Sequence, residues 1–171
     1  MASTYEPIAT TTLGSAAASI TFSSIASSWT DLRLVMVGTT SASDWSFCRF
    51  NGTDGTSTAY SSTRLYGDGS AAASARISNN SRLQLGDAVL GIGTSTTIPV
   101  FVTLDIFSYA GSTNKTSLTT ISGDLNGTGY TYRNVNLFSS TSAITSILIA
   151  NASGSNFSTG FTATLYGIKN A

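Results

Sequence analysis

The feature that most constrains the fold of this chain is the regular alternation of apolar and polar residues in short segments. Residues 97–109 and 161–169 show it most clearly. Such alternation is typical of a β-strand with one buried and one solvated face. Similar segments, about nine in all, recur along the chain between turn residues, and no helical periodicity accompanies them. The sequence therefore predicts an all-β fold, an antiparallel β-sandwich with a jelly-roll-like arrangement.

The expected domain organisation is a short N-terminal piece followed by one sandwich. Residues 1–13 are predicted to be an N-terminal arm or an edge strand, and residues 14–171 the single β-sandwich domain. Pro7 lacks a backbone donor, which disfavours a central strand. Because apolar side chains are sparse in this piece, we expect it to be ordered chiefly by contact with a neighbouring subunit or with a surface beneath it. The side chains predicted to point into the core are Ile20, Phe22, Leu34, Met36, Val100, Val102, Leu104, Ile106, Phe161 and Leu165.

The composition is unusually poor in charge and rich in hydroxyl groups. Charged residues make up 9% of the chain, histidine is absent and the net charge is zero, whereas the sequence contains 29 Ser and 27 Thr. A nucleic-acid binder needs clustered Lys and Arg, so nucleic acid is not an expected partner. No apolar run is long enough to span a membrane, and the N-terminus lacks the pattern of a signal peptide, so synthesis in the cytoplasm is expected. The lone Cys48 is predicted to be a small buried hydrophobe.

Catalytic constellations are weak in this sequence. Without histidine, only a lysine could activate a serine nucleophile, and Ser112-Thr-Asn-Lys115 has a suitable spacing. That motif lies in an expected turn, where we interpret it as coincidence. Among the acids only Asp105 lies in the middle of a predicted strand. A salt bridge or an outward polar position is its expected role, and a glycan hydrolase that uses Asp105 is the enzymatic alternative.

No metal or cofactor is assigned from the sequence. The segments Asn51-Gly-Thr-Asp-Gly55 and Gly67-Asp-Gly69 offer oxygen ligands but lack the carboxylate density of a calcium loop. The glycines Gly91 and Gly93 lack the lysine of a phosphate-binding loop. Aspartates beside glycine are expected to cap turns through their side chains.

Aromatic residues supply the candidate interaction sites. Tyr130 and Tyr132 share one face of a predicted strand with Asn134 and Asn136, which favours an exposed amphipathic patch. A second candidate interface is the N-terminal segment, with Tyr5, Glu6, Pro7 and Ile8. Five other aromatic residues could present a stacking surface to a sugar or a protein, but each is expected to fill the core or a strand face instead: Trp29, Trp45, Tyr60, Tyr66 and Tyr109.

An ordered set of short segments resembles a family of small virion structural proteins of tailed bacteriophages, cyanophages among them. The resemblance covers nearly the whole chain. Its segments are Tyr5-Glu-Pro-Ile-Ala-Thr-Thr-Thr-Leu-Gly14, Ile20-Thr-Phe-Ser-Ser-Ile25, Asp31-Leu-Arg-Leu-Val-Met-Val-Gly38, Arg49-Phe-Asn-Gly52, Tyr60-Ser-Ser-Thr-Arg-Leu-Tyr-Gly-Asp-Gly69 and Leu165-Tyr-Gly-Ile-Lys169.

The resemblance implies a non-enzymatic virion component, most simply a capsid decoration (cement) protein that binds the major capsid protein and strengthens the outer shell. The alternative is a tail, baseplate or fibre-associated protein that binds host glycans or other tail proteins. A homo-oligomer, possibly a trimer around a local symmetry axis, is the expected assembly. Low charge is compatible with such association, because copies of the chain repel one another little.

Overall fold

The computed structural model describes residues 5–86, 95–124, 126–127 and 129–169. In these residues the chain forms twelve β-strands and no helix, and therefore no helix that could cross a membrane. The strands are β1 (Tyr5–Thr12), β2 (Ser19–Phe22), β3 (Asp31–Gly38), β4 (Ser46–Phe50), β5 (Tyr60–Gly67), β6 (Ala72–Asn80), β7 (Leu83–Gln84), β8 (Val100–Ile106), β9 (Lys115–Gly123), β10 (Tyr130–Phe138), β11 (Ile147–Asn151) and β12 (Thr162–Ile168).

The strands form two antiparallel sheets, which confirms the predicted all-β sandwich class. The larger sheet has eight strands in the order β1-β12-β3-β8-β9-β10-β5-β6, and the smaller has four in the order β2-β11-β4-β7. Without the hairpins β5–β6 and β9–β10, successive strands alternate between the sheets except at β4 and β7, which both lie in the smaller sheet, and the first strand lies beside the last. This order agrees with the jelly-roll-like expectation. The two hairpins extend the larger sheet on one side.

The core lies between the two sheets and is apolar. All ten side chains predicted to point inward are buried, and they belong to one continuous cluster with residues of both sheets. Cys48 of β4 is fully buried in the same cluster, as expected, and its burial raises the pKa of its thiol. The strand periodicity of two therefore identified the inward face of β2, β3, β8 and β12 correctly.

One turn has the expected conformation but not the expected role. Asn51 and Gly52 both have positive φ, 53° and 66°, as an Asn-Gly turn requires. The flanking strands β4 and β5 nevertheless belong to different sheets, so the turn does not close the hairpin that an Asn-Gly dipeptide usually indicates. The Asn51 side chain instead accepts a hydrogen bond from the Thr145 amide and donates one to the Ala143 carbonyl, each at 2.8 Å. The turn is thereby fixed to the segment that precedes β11.

The N-terminal segment was predicted to be either an arm or an edge strand, and its described residues form an edge strand. Residues 5–12 pair along their length with β12, and a register shift separates Pro7 from Ala9. The hydroxyl groups of Thr10 and Thr164 lie 3.1 Å apart across this pair. A partner within the same chain therefore orders residues 5–12, so the expectation that a neighbouring subunit is needed was wrong for them. Sparse apolar side chains suffice for an edge strand because the ladder supplies its hydrogen bonds.

Candidate interaction surface

The outer face of the eight-stranded sheet, on the side away from the four-stranded sheet, collects the exposed apolar side chains of the molecule. Five of the large apolar side chains that are exposed in the described residues lie within strands of this face, and the other two lie at its margins, one on the first residue of β1 and one directly after β8. Those on the strands are Val37, Leu65, Phe101, Val135 and Leu137, and those at the margins are Tyr5 and Phe107. Leu65 is 59% and Val135 54% exposed. We call this surface the outer sheet face.

Strand register brings these side chains close together. Val135 on β10 is directly opposite Leu118 on β9, and Leu65 on β5 is a diagonal neighbour of Val135. Phe101 on β8 is directly opposite Val37 on β3. Side chains at such positions contact one another across a sheet. The outer sheet face therefore carries continuous apolar areas between its hydroxyl-bearing residues.

The inner side of the same strands is unusually polar. Asn134 and Asn136 on β10 are 1% and 2% exposed, and Thr119 on β9 is fully buried. The Asn136 amide nitrogen donates to the Thr119 hydroxyl at 3.0 Å. Arg64 on β5 is buried in this layer and donates to the Gln84 side chain at 3.2 Å. Along the middle of β9, β10 and β5, the ordinary polarity of a sandwich is thus reversed, with polar side chains inside and apolar ones outside.

The reversal corrects the predicted tyrosine patch. Tyr132 is 1% exposed and stacks on Tyr66 with ring centroids 5.1 Å apart, and Tyr130 packs against the core. The prediction of an exposed patch with Asn134 and Asn136 was therefore wrong. Alternation separates the two faces of a strand but does not say which one is buried, and here the large rings determine the inner face.

Two depressions lie along β5 and β10. One of about 350 Å³ is lined by Ser61, Thr63, Arg76, Thr116, Val135 and Leu137. The other, of about 320 Å³, lies at the opposite end of these strands and is lined by Leu65, Gly67, Ala72, Thr131 and Arg133. Both combine apolar side chains with one arginine each. Such relief permits side chains of an opposing surface to interdigitate with the outer sheet face.

The predicted N-terminal interface residues lie at the edge of this sheet. Tyr5 stacks on Tyr166 of β12 with ring centroids 4.6 Å apart and is 42% exposed. Pro7 is exposed, whereas Glu6 is half-buried and Ile8 packs against the core. Tyr5 and Pro7 are therefore placed where another molecule could contact them, and Ile8 serves the fold.

The four-stranded sheet presents a different surface. The Arg82 guanidinium lies over the rings of Trp45 and Phe47 at 4.6 and 4.9 Å, and that of Arg49 lies over Phe47 at 4.9 Å. These cation–π contacts cover the aromatic rings with charged groups. The apolar character of the surface is thus confined to the outer sheet face in the described part of the chain.

The aspartates are engaged in structural hydrogen bonds. Both oxygens of Asp105 accept from the Arg33 guanidinium at 2.5 and 3.1 Å, which raises the pKa of Arg33 and confirms the expected salt bridge. Asp54 and Asp68 cap their turns, and three hydrogen bonds from Ser70 and Ala71 lower the pKa of Asp68 to about 2. These geometries fix loops and strands.

Asp44, directly before β4, is the most buried of the described aspartates, at 6% exposure. Burial by itself would raise its pKa. Hydrogen bonds from the Trp45 amide and from the amides and hydroxyl of Ser153 and Ser155 outweigh that effect and hold the pKa below its ordinary value. The charged carboxylate therefore joins β4 to the loop after β11.

Replacing Asp44 with Asn is expected to lower the free energy of unfolding at neutral pH by about 2 kcal/mol, because an amide cannot accept all of these hydrogen bonds. A depressed carboxyl pKa stabilises the fold above the pKa of the unfolded state and is lost as the pH falls through the folded value. The difference between wild type and Asp44→Asn should therefore shrink below about pH 4. Urea titrations at several pH values in the acid range measure this difference in the free energy of unfolding. A difference independent of pH would contradict this role for Asp44.

Lys115, at the start of β9, does not have the environment of a catalytic base. Its ammonium group donates to the carbonyl oxygens of Gly111, Thr113 and Ser140, and the residue is 1% exposed. Burial lowers the pKa of Lys115, while the three carbonyls saturate the donors of the charged form. Ser112 lies in the turn between β8 and β9, as predicted, and Lys115 is the first residue of β9.

No group of three or more metal-ligating His, Cys, Asp or Glu side chains occurs among the residues whose structure is described. The segment with Gly91 and Gly93 lies outside those residues.

The sequence matches no model of a known protein family, and no curated protein is significantly similar to it.

Proposed function

We propose that this chain is a non-enzymatic structural protein of a bacteriophage virion, and that it is a decoration protein that binds and stabilises the outer capsid shell. The observation that carries the proposal is the one-sided distribution of exposed apolar side chains on the outer sheet face. Contiguous apolar surface of this kind is typical of protein interaction sites. The resemblance of the sequence segments to small virion proteins supplies the biological setting.

The hydrogen bonds and the ion pair of the aspartates favour an assembly role over the hydrolase alternative. Inverting and retaining glycosidases need two carboxyl groups that face a shared cleft. Asp105 instead forms a bidentate pair with Arg33 on the open outer sheet face, and Asp44 is enclosed by amide donors. Carboxylates held in this way stabilise a structural module.

The proposed partner is the major capsid protein, which β1 would contact. In the described part of the chain β1 ends the eight-stranded sheet, and Tyr5 and Pro7 are exposed there. An edge strand can add to the sheet of another protein or receive a strand from it. Localisation in the virion follows from this proposal.

The experiment is a copy-number measurement on purified virions by quantitative mass spectrometry, with the major capsid protein as internal standard. A decoration protein repeats with the icosahedral lattice, so copies on the order of hundreds per particle are expected. A few dozen copies or fewer would place the chain on the tail, where it would bind host glycans or other tail proteins. Absence from the purified particle would contradict the virion proposal altogether.

A further inference from the structure

We propose that Arg49 and Arg82, on the outer side of the four-stranded sheet, form a binding site for a doubly charged oxyanion, a phosphate or sulfate group. This sheet packs on the inner side of the eight-stranded sheet, so the site lies on the opposite side of the molecule from the outer sheet face. The inference goes beyond the proposed function and does not depend on it. A chain bound to a shell through the outer sheet face would leave the arginine site open to solvent.

Strand pairing brings the two arginines together. Cys48 on β4 pairs with Leu83 on β7, and the same antiparallel register continued by one residue sets Arg82 opposite Arg49. Because Cys48 belongs to the core, the next side chain on the strand, that of Arg49, points away from it. Like charges at opposite positions of a strand pair repel each other and destabilise it. A bound anion would replace this repulsion with attraction to a shared ligand.

Two aromatic rings hold the guanidinium groups in place. Phe47 is only 6% exposed although it does not belong to the core between the sheets, and the guanidinium carbons of Arg49 and Arg82 each lie 4.9 Å from its ring centre. The Arg82 group also lies 4.6 Å from the Trp45 ring, and the Arg49 Nε donates to the Ser81 carbonyl at 3.2 Å. Both charged groups are therefore positioned before a ligand binds, which lowers the entropic cost of binding.

Both charges lack a carboxylate partner in the part of the chain that the structure describes, where the ion pair is Arg33–Asp105. The carboxylates that act on them electrostatically, Asp44 and Asp54, are held by hydrogen bonds within their own loops. Burial and the charge of Arg49 lower the pKa of Arg82, but an arginine titrates so far above neutrality that the group stays charged. Two positive charges thus remain to be balanced.

A doubly charged oxyanion complements this arginine pair. Stacking on a ring occupies the flat face of a guanidinium group and leaves its in-plane N–H groups available for bidentate hydrogen bonds to oxygen. Among the described residues, Arg82 makes no hydrogen bond and Arg49 makes one, through Nε. The two charges of a phosphate or sulfate group balance the two arginines, whereas one carboxylate would leave a positive charge unpaired.

The test is an NMR titration of the full chain near neutral pH and at constant ionic strength, with sodium sulfate, glucose 6-phosphate, sodium acetate and glucose. Sulfate should shift the Nε–H signals of Arg49 and Arg82 with a dissociation constant of about 1 mM. Acetate should bind at least about 10-fold more weakly, and glucose should not bind. Tighter binding of glucose 6-phosphate than of sulfate would identify a sugar-borne phosphate as the ligand, and equal or weaker binding would identify the anion alone.

Three variants locate the site. Arg82→Gln removes one of the two charges and should weaken sulfate binding at least about 10-fold. Arg82→Lys keeps the charge but loses the planar donor fork, and it should weaken binding at least about 3-fold. Lys169→Gln removes one positive charge at an exposed position directly after β12, and this matched control should bind sulfate like the wild type. Because Arg82→Lys keeps a cation beside Phe47, it should fold even if Arg82→Gln does not, and melting curves check both.

Three results would overturn the proposal: no shift at either arginine, equal binding of acetate and sulfate, or wild-type binding by Arg82→Lys and by a folded Arg82→Gln. A loss of binding in Lys169→Gln as large as that in Arg82→Gln would overturn it as well, because anions would then respond to the net charge of the chain and not to this site. None of these results bears on the decoration role, which the copy number in virions tests separately.

Discussion

Replacing Lys115 with Met is expected to lower the free energy of unfolding by about 3 kcal/mol. The methylene chain of methionine can occupy the same space, but it cannot donate hydrogen bonds. The carbonyl oxygens of Gly111, Thr113 and Ser140 now accept from the buried ammonium group, and they would lose this charged donor. Loss of the donor should also loosen the turn between β8 and β9, because two of the acceptors lie in that turn.

Denaturant unfolding of the isolated protein measures this effect. Lys169→Met is the control, because Lys169 is exposed and its ammonium group lies over the Trp29 ring at 5.4 Å. That control should change stability by less than about 1 kcal/mol. If Lys115→Met is as stable as the control variant, the buried ammonium group is not what holds this turn.

Replacing Gly167 with Ala should destabilise the fold by about 2–4 kcal/mol and change the environment of a tryptophan. A Cβ atom at this position of β12 would lie 2.1 Å from the Trp29 ring, a distance that no packing allows. Trp29 is partly buried against the core, so either the ring leaves its site or the strand shifts. Both outcomes expose apolar surface that is now covered.

Tryptophan fluorescence together with thermal unfolding tests this prediction. We expect a red-shifted emission maximum and a lower melting temperature in Gly167→Ala. Gly14→Ala is the matched control, because no atom lies within 4 Å of its added Cβ. An unchanged spectrum with unchanged stability would contradict the packing of Trp29 on Gly167.

The strands and the core were largely predictable because strand alternation is a local property. Leu104 and Leu165 are buried as their parity indicated. The pairing of strands was less predictable from the sequence, since it depends on contacts between distant segments. The turn at Asn51 is an example. Its conformation follows from the Asn-Gly dipeptide, but the dipeptide does not show that β4 and β5 belong to different sheets.

The outer sheet face was missed although its residues were visible in the sequence. The strand over Tyr130–Phe138 was correctly divided into two faces, but the wrong one was interpreted as exposed. Phe138 shares the parity of Tyr132, and the combined ring area could have identified the buried face. Similarly, the apolar residues of segment 31–37 follow one another almost without interruption, which does not separate an inner from an outer side, and Val37 is 42% exposed. Such exposed apolar residues are what the proposed interface would leave open in a single chain.

The most direct test of the central claim, that this is a shell-bound subunit whose outer sheet face is covered in the particle, is a cryo-electron microscopy map of the intact virion. The account predicts density for this chain at repeated positions on the capsid surface, with Leu65 and Val135 buried against another protein molecule. A capsid surface without this density, or a bound chain whose outer sheet face is open to solvent, would contradict it.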